Sequence, residues 1–259
     1  MEHENLEAKV PTSLQLIAIR VTVDNVKLKR ISNENLSCLP SRLKQSVLEK
    51  LQISGFYNVT LSQVFALLNP YMTCIDLSNF EATDADLLKL IPFSKRLQSF
   101  AVNHCHGSPT VSGMCSFLSR CSVLRSASLT NFEESIDDVL AIIGNTLKNL
   151  QILDISGCKS FSICGIASIS TLEMIEAMNL SRTCLDDQMT DKMITNSVGR
   201  SIKEFRCDDC ANLTLLSIEA LYYLPNLEFI SFRRCSRVKA GEIRQPNRQL
   251  RNIAYSIGI

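Results

Sequence analysis

The sequence has no tryptophan and only three histidines, and aromatic residues make up 6% of the chain. So little aromatic surface argues against a site that stacks nucleic-acid bases. The net charge is +1, from 27 basic and 26 acidic residues, so no overall electric field points to nucleic acid or to a membrane. Glycine-rich phosphate loops, Gly-x-Ser-x-Gly and His-Glu-x-x-His are also missing, and we therefore expect no enzyme activity.

Long apolar runs are missing as well. The polar amino-terminal sequence MEHENLEAKVP is not followed by an apolar signal-peptide core. No run approaches the roughly 18 residues needed to span a bilayer, so we expect a cytoplasmic or nuclear protein. The eleven cysteines are odd in number, and in a reducing compartment we expect buried thiols. We expect neither a cofactor nor a metal ion.

What the chain does contain is an apolar quartet that recurs every 23 to 27 residues. In each copy an apolar residue is followed by others three, five and eight positions later. This is the period and pattern of a leucine-rich repeat. Full copies begin at Leu48, Met72, Leu97, Leu124, Leu150, Ile175, Ile202 and Leu227, and a truncated copy begins at Leu250.

Each copy predicts a strand followed by a helix. The segment from Leu150 to Ile155 alternates apolar and polar residues, so Leu153 and Ile155 point to one face and Asp154 to the other. Helical segments follow, and their candidate N-caps are Thr60, Thr83, Thr110, Ser135, Ser162 and Thr214.

We therefore expect an α/β leucine-rich-repeat solenoid. Its parallel strands would line the concave side of a right-handed horseshoe, and its helices would cover the convex side. The predicted domains are an amino-terminal helical cap over residues 1–47 and a leucine-rich-repeat domain over residues 48–259. Concave faces of this kind are the usual binding surface of solenoids, which directs the functional question toward binding.

The eighth position of the quartet lies at the turn after the strand. It holds cysteine at 105, 158, 210 and 235, phenylalanine at 56, 80 and 132, and threonine at 183. A thiol is small and a weak donor, so it can stack in a ladder of turns. The pattern resembles the cysteine-containing subclass of leucine-rich repeats, which recurs in substrate receptors of ubiquitin ligases.

Two cysteine motifs have alternative interpretations. Cys207 and Cys210 have the spacing of half a zinc site, but both already occupy repeat positions, and no second Cys or His pair completes such a site. His104 and His106 flank Cys105, yet no acidic partner can be assigned to a catalytic Cys–His dyad.

The outward strand positions change character along the chain. They are small and polar near the amino end and charged near the carboxyl end, with apolar Ile152 and Phe229 among the charged residues. We interpret this surface as the site that binds a protein substrate. The predicted substrate-binding residues are Ile152, Asp154, Glu204, Arg206, Asp208, Phe229, Arg233 and Arg234.

The segment before the repeats holds Ser13-Leu14-Gln15-Leu16-Ile17-Ala18 and then Leu39-Pro40-Ser41-Arg42-Leu43. This resembles the box of elongin-linked ligase receptors of the von Hippel–Lindau and cytokine-signalling-suppressor type. The resemblance implies that Leu14 and Ala18 contact elongin C, and that Leu39, Pro40 and Leu43 contact a cullin.

Other interpretations of the same segment stay open. It could be only a capping helix, which a solenoid needs in any case. The residues from Leu14 to Val23 alternate like a strand, whereas the box requires a helix. An F-box also uses a Leu-Pro-x-x-Leu helix, but the quartet at Leu48 begins only eight residues after Pro40.

Over its whole length the chain resembles antagonist-of-mitotic-exit-network proteins and the repeat region of Zyg-11/Zer-1-type receptors. The resemblance implies a non-catalytic substrate-recognition subunit of a cullin–RING ubiquitin ligase. Its expected partners are a protein substrate, elongin C and a cullin. The alternative is a leucine-rich-repeat scaffold or inhibitor of a cell-cycle regulator, with no ligase association.

Overall fold

A computed structural model describes residues 13–104, 107–238 and 252–254, with Ser13 and residues 252–254 described by their backbone. The chain divides into two compact units, Met1–Met72 and Thr73–Ile259. None of the helices in the described ranges has the length and apolar character needed to cross a membrane.

The first unit is helical. α1 packs against α3, and α2 packs against α4. The Thr60 side chain and the Gln63 side chain each bond the other residue's backbone N–H at the start of α4, and the Gln63 amide also donates to the Val26 carbonyl at 3.2 Å. The helices are α1 (Ser13–Lys27), α2 (Asn33–Ser37), α3 (Ser41–Ile53) and α4 (Leu61–Ala66).

The quartet at Leu48 does not begin a strand, so the prediction of a repeat there was wrong. Leu48, Leu51 and Ile53 all lie in α3. At 3.6 residues per turn, Leu48 and Leu51 share the buried side of the helix, whereas Ile53 points elsewhere and is 81% exposed. The helical unit therefore extends to Met72, beyond the predicted boundary at residue 47.

The segment from Leu14 to Val23 is helical despite its strand-like alternation. β-Branched residues lower helix propensity by a few tenths of a kcal/mol each, which tertiary packing readily outweighs. Here Ile19 and Val26 are buried on the side of α1 that packs in the helical unit. The helix that the elongin-type box requires is therefore present.

The second unit is built on one parallel sheet in which the strands follow chain order. Seven adjacent pairs are parallel and in regular register, and a helix lies between most successive strands. The strands are β1 (Cys74–Leu77), β2 (Ser99–Asn103), β3 (Ser126–Thr130), β4 (Ile152–Asp154), β5 (Ala177–Asn179), β6 (Glu204–Arg206), β7 (Phe229–Ser231) and β8 (Asn252–Ala254).

Helices cover one face of this sheet. Their bounds are α5 (Asp84–Leu90), α6 (Val111–Leu118), α7 (Asp137–Thr146), α8 (Ile163–Ile169), α9 (Asp187–Ile194), α10 (Val198–Ser201) and α11 (Leu215–Tyr222), with a 3₁₀ helix at Ile91–Arg96. The sheet order and the strand–helix alternation confirm the predicted α/β leucine-rich-repeat solenoid.

The quartet residues form the core, as predicted. In the copy that begins at Leu150, all four residues are at most 1% exposed. The register places the second quartet residue of each repeat beside that of the next, as at Ala127, Leu153 and Met178. The quartets at Leu124, Ile175, Ile202 and Leu227 are likewise buried, and Phe80 is half-buried.

Most predicted helix caps are present. The side chains of Thr83, Thr110, Ser162 and Thr214 each accept a hydrogen bond from a backbone N–H in the first helical turn. Ser135 is not a cap, because α7 begins at Asp137 and Ile136 takes the capping position. Ser135 instead pairs with Ser160 of the next repeat.

Carboxylates in the first turn of three helices bond the cap residue of the following repeat. Asp84 accepts from the backbone N–H and hydroxyl of Thr110 at 2.8 and 2.7 Å. Asp137 accepts from the N–H of Ser162 at 2.8 Å. Asp187 accepts from both donors of Thr214 and, at 2.5 Å, from the Ser217 hydroxyl. These bonds join successive repeats on the helical side of the sheet.

We expect Asp187→Ala to lower the free energy of unfolding by about 2 kcal/mol, since it removes charge-assisted hydrogen bonds between repeats. Burial raises the pKa of Asp187, but the bonds from Ser217 and Thr214 outweigh it, so the pKa lies below the ordinary value of 3.8. The contribution of Asp187 to the free energy of unfolding is therefore present above pH 3.8, and it disappears as the pH falls through the native pKa.

Urea unfolding at pH 7 measures the loss, and Asp191→Ala is the control, because Asp191 is exposed on the same helix. The control should change stability by less than about 0.5 kcal/mol. Equal destabilisation by the two substitutions would contradict the role given to Asp187.

Candidate functional site

The turn-slot cysteines form a ladder of sulfur hydrogen bonds. Cys158 donates to the carbonyl of Leu129 at 3.2 Å, Cys210 to that of Leu180 at 3.2 Å, and Cys235 to that of Cys207 at 3.1 Å. Each acceptor lies in the repeat before the donor. The position thus joins neighbouring turns, as the sequence pattern predicted. Cys105 lies outside the described residues.

Burial makes these thiols, and that of Cys207, poor nucleophiles. It raises the pKa of Cys158 and of Cys235 to about 12 and that of Cys207 well above 9.0, so all three stay protonated near neutral pH. Cys38 and Cys164, in contrast, are exposed. Within the described ranges, no group of three or more His, Cys, Asp or Glu side chains is placed to hold a metal ion.

His104 stacks on Phe132, with ring centroids 4.6 Å apart. This contact gives the His104 ring a packing role at the end of β2. Its two neighbours in the His-Cys-His sequence, Cys105 and His106, lie outside the described residues, so the dyad interpretation stays a prediction.

Of the predicted substrate-binding residues, Ile152, Asp154, Glu204, Arg206 and Phe229 lie on the sheet face opposite the helices, and the other three lie in the turns after β6 and β7. The register aligns Ile152, Ala177, Glu204 and Phe229 in one row across β4 to β7. The next row along the strands holds Asp154, Asn179, Arg206 and Ser231. We call these two rows, with the turn residues Asp208, Asp209, Arg233 and Arg234, the β4–β7 face.

A shallow depression of about 340 Å³ lies in the β4–β7 face. Its exposed apolar part is Ile152, which is 48% exposed, beside the half-buried Ala177. Asp154, Glu204 and Arg206 also line it. The depression therefore combines a small apolar patch with charged groups, as recognition of a peptide side chain requires.

Arg206 is held in place from two sides. Its Nε donates to Glu204 Oε1 at 2.6 Å, and its guanidinium carbon lies 4.8 Å from the centre of the Phe229 ring. A guanidinium has five N–H donors, and this ion pair uses one of them. The remaining donors are available to a carboxylate in the fixed planar geometry that favours bidentate pairing.

Asp154 has a structural role. Its Oδ1 accepts from the backbone N–H of Ser156 at 2.8 Å, and its Oδ2 accepts from the Asn179 amide at 3.1 Å. The same turn recurs where Asp76 accepts from the Ser78 N–H at 2.8 Å. Such Asx turns close a strand end, so Asp154 would be required here even without a ligand.

Asp208 also accepts hydrogen bonds within the protein. Its Oδ1 accepts from the Ser231 hydroxyl at 2.6 Å and from the backbone N–H of Arg233 at 2.5 Å. Its partners belong to the next repeat, which is why the sequence did not indicate this role. Asp208 therefore orders the turn that carries Arg233.

Arg234 forms a bidentate ion pair with Asp209, at 2.6 and 2.5 Å. Hydrogen bonds from Arg234 hold the pKa of the Asp209 carboxyl below 3.8. A second positive charge, at Arg182, also lowers the pKa of the Asp209 carboxyl. Of the predicted charged residues, Arg206 and Arg233 are thus better placed than Arg234 to meet a ligand.

One turn position in successive repeats has a left-handed backbone. It holds residues with φ between 57° and 75°, and three of the five are charged: Asn131, Gly157, Arg182, Asp209 and Arg234. Left-handed backbone costs a residue other than glycine roughly 1–2 kcal/mol. This position was not predicted from the sequence, although the glycine and asparagine at it were a usable signal.

The helical unit carries a second exposed surface. Leu14, Ile17 and Val21 are 74%, 57% and 52% exposed, and Ala18 is exposed beside them. These four residues lie on the side of α1 opposite the buried Ile19 and Val26, and we call them the α1 apolar stripe.

The second predicted adaptor motif lies at the start of α3. Pro40 is exposed at the N-cap of this helix, one position before the first helical residue, Ser41. Leu39 and Leu43 on either side are half-buried. Because α1 packs against α3, both motifs belong to one packed helical unit.

No protein-family model matches the chain, and no curated protein matches it. A chain of the Drosophila Toll–Spatzle complex is 15% identical over 62% of this chain, with a TM-score of 0.41, and this chain covers 20% of it. A chain of the yeast Rad7–Elc1 complex is 9% identical, with a TM-score of 0.34. The match covers 95% of this chain and 98% of that chain.

An internalin from Listeria monocytogenes is 13% identical over 77% of this chain, which covers 64% of it, with a TM-score of 0.41. This chain thus spans about a fifth of the length of the Toll-complex chain. At such low identity and TM-score, the similarities give no information about function. The resemblance to Zyg-11/Zer-1-type receptors and to antagonist-of-mitotic-exit-network proteins therefore stays a prediction.

We expect Cys158→Ala to reduce the free energy of unfolding by about 1–2 kcal/mol, since it leaves the buried Leu129 carbonyl without its thiol donor. It should also change the alkaline pH dependence. The unfolded thiol ionises near pH 9.0, whereas the native thiol ionises near 12, so stability falls as the pH rises between these values.

Each such thiol contributes a slope of up to about 1.4 kcal/mol per pH unit. Urea unfolding between pH 8 and 11 should therefore give a shallower decline for Cys158→Ala than for the wild type. Cys164→Ala is the control, because its thiol is exposed. Identical slopes for the wild type and Cys158→Ala would disprove the buried-thiol account.

Proposed function

We propose that this protein is a non-catalytic substrate-recognition subunit of a cullin–RING ubiquitin ligase. The α1 apolar stripe would bind elongin C, and the β4–β7 face would bind the protein substrate. The observation that carries this proposal is the α1 apolar stripe, which leaves three large apolar side chains more than half exposed.

An exposed apolar row of this kind supports a partner surface. Covering one leucine, isoleucine or valine side chain contributes roughly 1.5–3 kcal/mol. A partner that covers Leu14, Ile17 and Val21 therefore gains enough to offset part of the entropic cost of association. A helix that served only to pack in its own unit would need just the side with Ile19 and Val26.

The positions at the start of α3 support the same proposal. Pro40 is exposed and Leu43 is partly accessible, as a contact surface for a cullin requires. An F-box has more room after Pro40 than the quartet at Leu48 implied, because α3 and α4 both follow Pro40. The elongin-type assignment still accounts for more, since it explains an exposed apolar helix before the Leu-Pro sequence.

Substrate binding is assigned to the β4–β7 face on its chemistry. The face presents an exposed isoleucine, a partly exposed phenylalanine and oriented arginines on one continuous sheet. Repeat sheets offer extended surfaces that suit polypeptide ligands. A scaffold or inhibitor of a cell-cycle regulator would use the same face without elongin C, so the adaptor interaction separates the two functions.

We expect Leu14→Asp with Ile17→Asp to abolish co-purification of elongin C and a cullin from cells, because charges replace the centre of the α1 apolar stripe. The control is Arg20→Asp, which changes the net charge by the same amount at an exposed position of α1. Affinity purification followed by quantitative mass spectrometry measures both partners.

The control should retain elongin C at the wild-type level, and circular dichroism should show the same helix content for all three proteins. Wild-type protein that brings down no elongin C would contradict the proposal and favour the scaffold. Recovery of the F-box adaptor in its place would assign the helical unit to that class of ligase.

A further inference from the structure

Positive charge is concentrated at the carboxyl end of the chain. Residues 233–259 contain seven basic residues and one acidic residue, whereas the whole chain has a net charge of only +1. The residues before position 233 are therefore acidic in sum. Three of the seven basic residues are described, and all three are exposed in the connection after β7: Arg233, Arg234 and Arg237.

The backbone that carries Arg233 is fixed by bonds to the neighbouring repeat. Its N–H donates to Asp208, and its carbonyl accepts from the N–H of Asp209 at 2.7 Å. Arg237 follows in the same connection and pairs through its backbone with Thr214. Both arginines are thus carried on ordered backbone in the connection that follows β7.

The acidic residues in the turn after β6 are already paired within the protein. Asp208 bonds Ser231 and the backbone of Arg233, and Asp209 bonds Arg234. Across the described part of the chain, no acidic side chain forms an ion pair with Arg233 or Arg237. The guanidinium groups of Arg233 and Arg237 therefore complement an acidic ligand.

We propose that the β4–β7 face and the connection after β7 bind an acidic segment of a protein, with an apolar side chain near Ile152 and Ala177 and carboxylates on Arg233 and Arg237. The strands run from the depression toward the connection that carries these arginines, so an apolar residue followed by acidic residues matches the order of groups. Only the description of this segment as a ligase substrate rests on the proposed function.

A polypeptide fits this face better than a nucleic acid does. A phosphate backbone that followed the arginines into the depression would meet the carboxylates of Asp154 and Glu204. A single-stranded nucleic acid would also need several aromatic platforms for its bases, and of the residues that line the two rows only Phe229 is aromatic.

Fluorescence anisotropy with purified full-length protein tests this inference. The probe is a fluorescein-labelled peptide with one leucine followed by four glutamates. We expect this peptide to bind. Its affinity should fall as salt is raised, because exposed charges are screened. The same peptide with glutamines in place of the glutamates should bind about tenfold more weakly, a difference typical of a few exposed charge pairs.

Charge reversal of the protein provides the matched test. Arg233→Glu with Arg237→Glu should weaken binding of the glutamate peptide by about tenfold or more, and it should improve binding of a lysine version. The control is Arg120→Glu with Arg200→Glu, which makes the same charge change at exposed positions outside the face. The control should bind the glutamate peptide like the wild type.

Equal binding of the glutamate and glutamine peptides by the wild-type protein would overturn the inference, even if the reversed variant failed to fold. Tighter binding of a twenty-residue oligothymidine than of the glutamate peptide would also overturn it. The assay contains no ligase subunit, so a variant with Leu14→Asp and Ile17→Asp should keep full peptide affinity. Loss of elongin C and loss of peptide binding are thereby scored separately.

Discussion

Burial of apolar side chains between neighbouring repeats is the constraint on which the repeat unit depends. A single strand and helix cannot cover their own apolar faces, so each repeat is stable only against the next. The contact is close enough that residue size matters. A Cβ atom added at Gly144 on α7 would lie 2.2 Å from the backbone oxygen of Ser168 on α8.

The same stacking explains residues that resemble reactive chemistry. When turns are stacked, their buried polar groups need partners in the adjacent turn. The thiols of Cys158, Cys210 and Cys235 donate to carbonyls of the preceding repeat, while Asp187 and Asp208 accept from the following one. These cysteines and acids therefore maintain the repeat, and a binding function is left to the side chains that stacking does not use.

The sequence predicted the solenoid well because its period repeats many times. Leu150, Leu153, Ile155 and Cys158 are buried as their spacing requires. The quartet at Leu48 failed because a spacing of three also fits one side of a helix, and a single copy cannot separate the two patterns. The helix α1 was obscured by its β-branched residues, whose preference is overridden by packing at Ile19 and Val26.

The site was only partly predictable. Ile152, Arg206 and Phe229 could be placed on one face, because strand periodicity and a constant repeat length determine which residues become neighbours across the sheet. The hydrogen bonds of Asp208 could not be predicted, since its partners at Ser231 and Arg233 depend on the turn geometry of the next repeat. Exposure of the α1 apolar stripe could not be predicted either, because it depends on which side of α1 packs in the helical unit.

The proposed functions use two surfaces with separate physical origins, the α1 apolar stripe and the β4–β7 face. Hydrogen–deuterium exchange of the purified protein, alone and with a saturating amount of purified elongin C, tests this most directly. The account predicts slower exchange in Ser13–Lys27 on addition of elongin C and unchanged exchange in β4 to β7. Unchanged exchange in α1, or protection confined to the β4–β7 face, would contradict it.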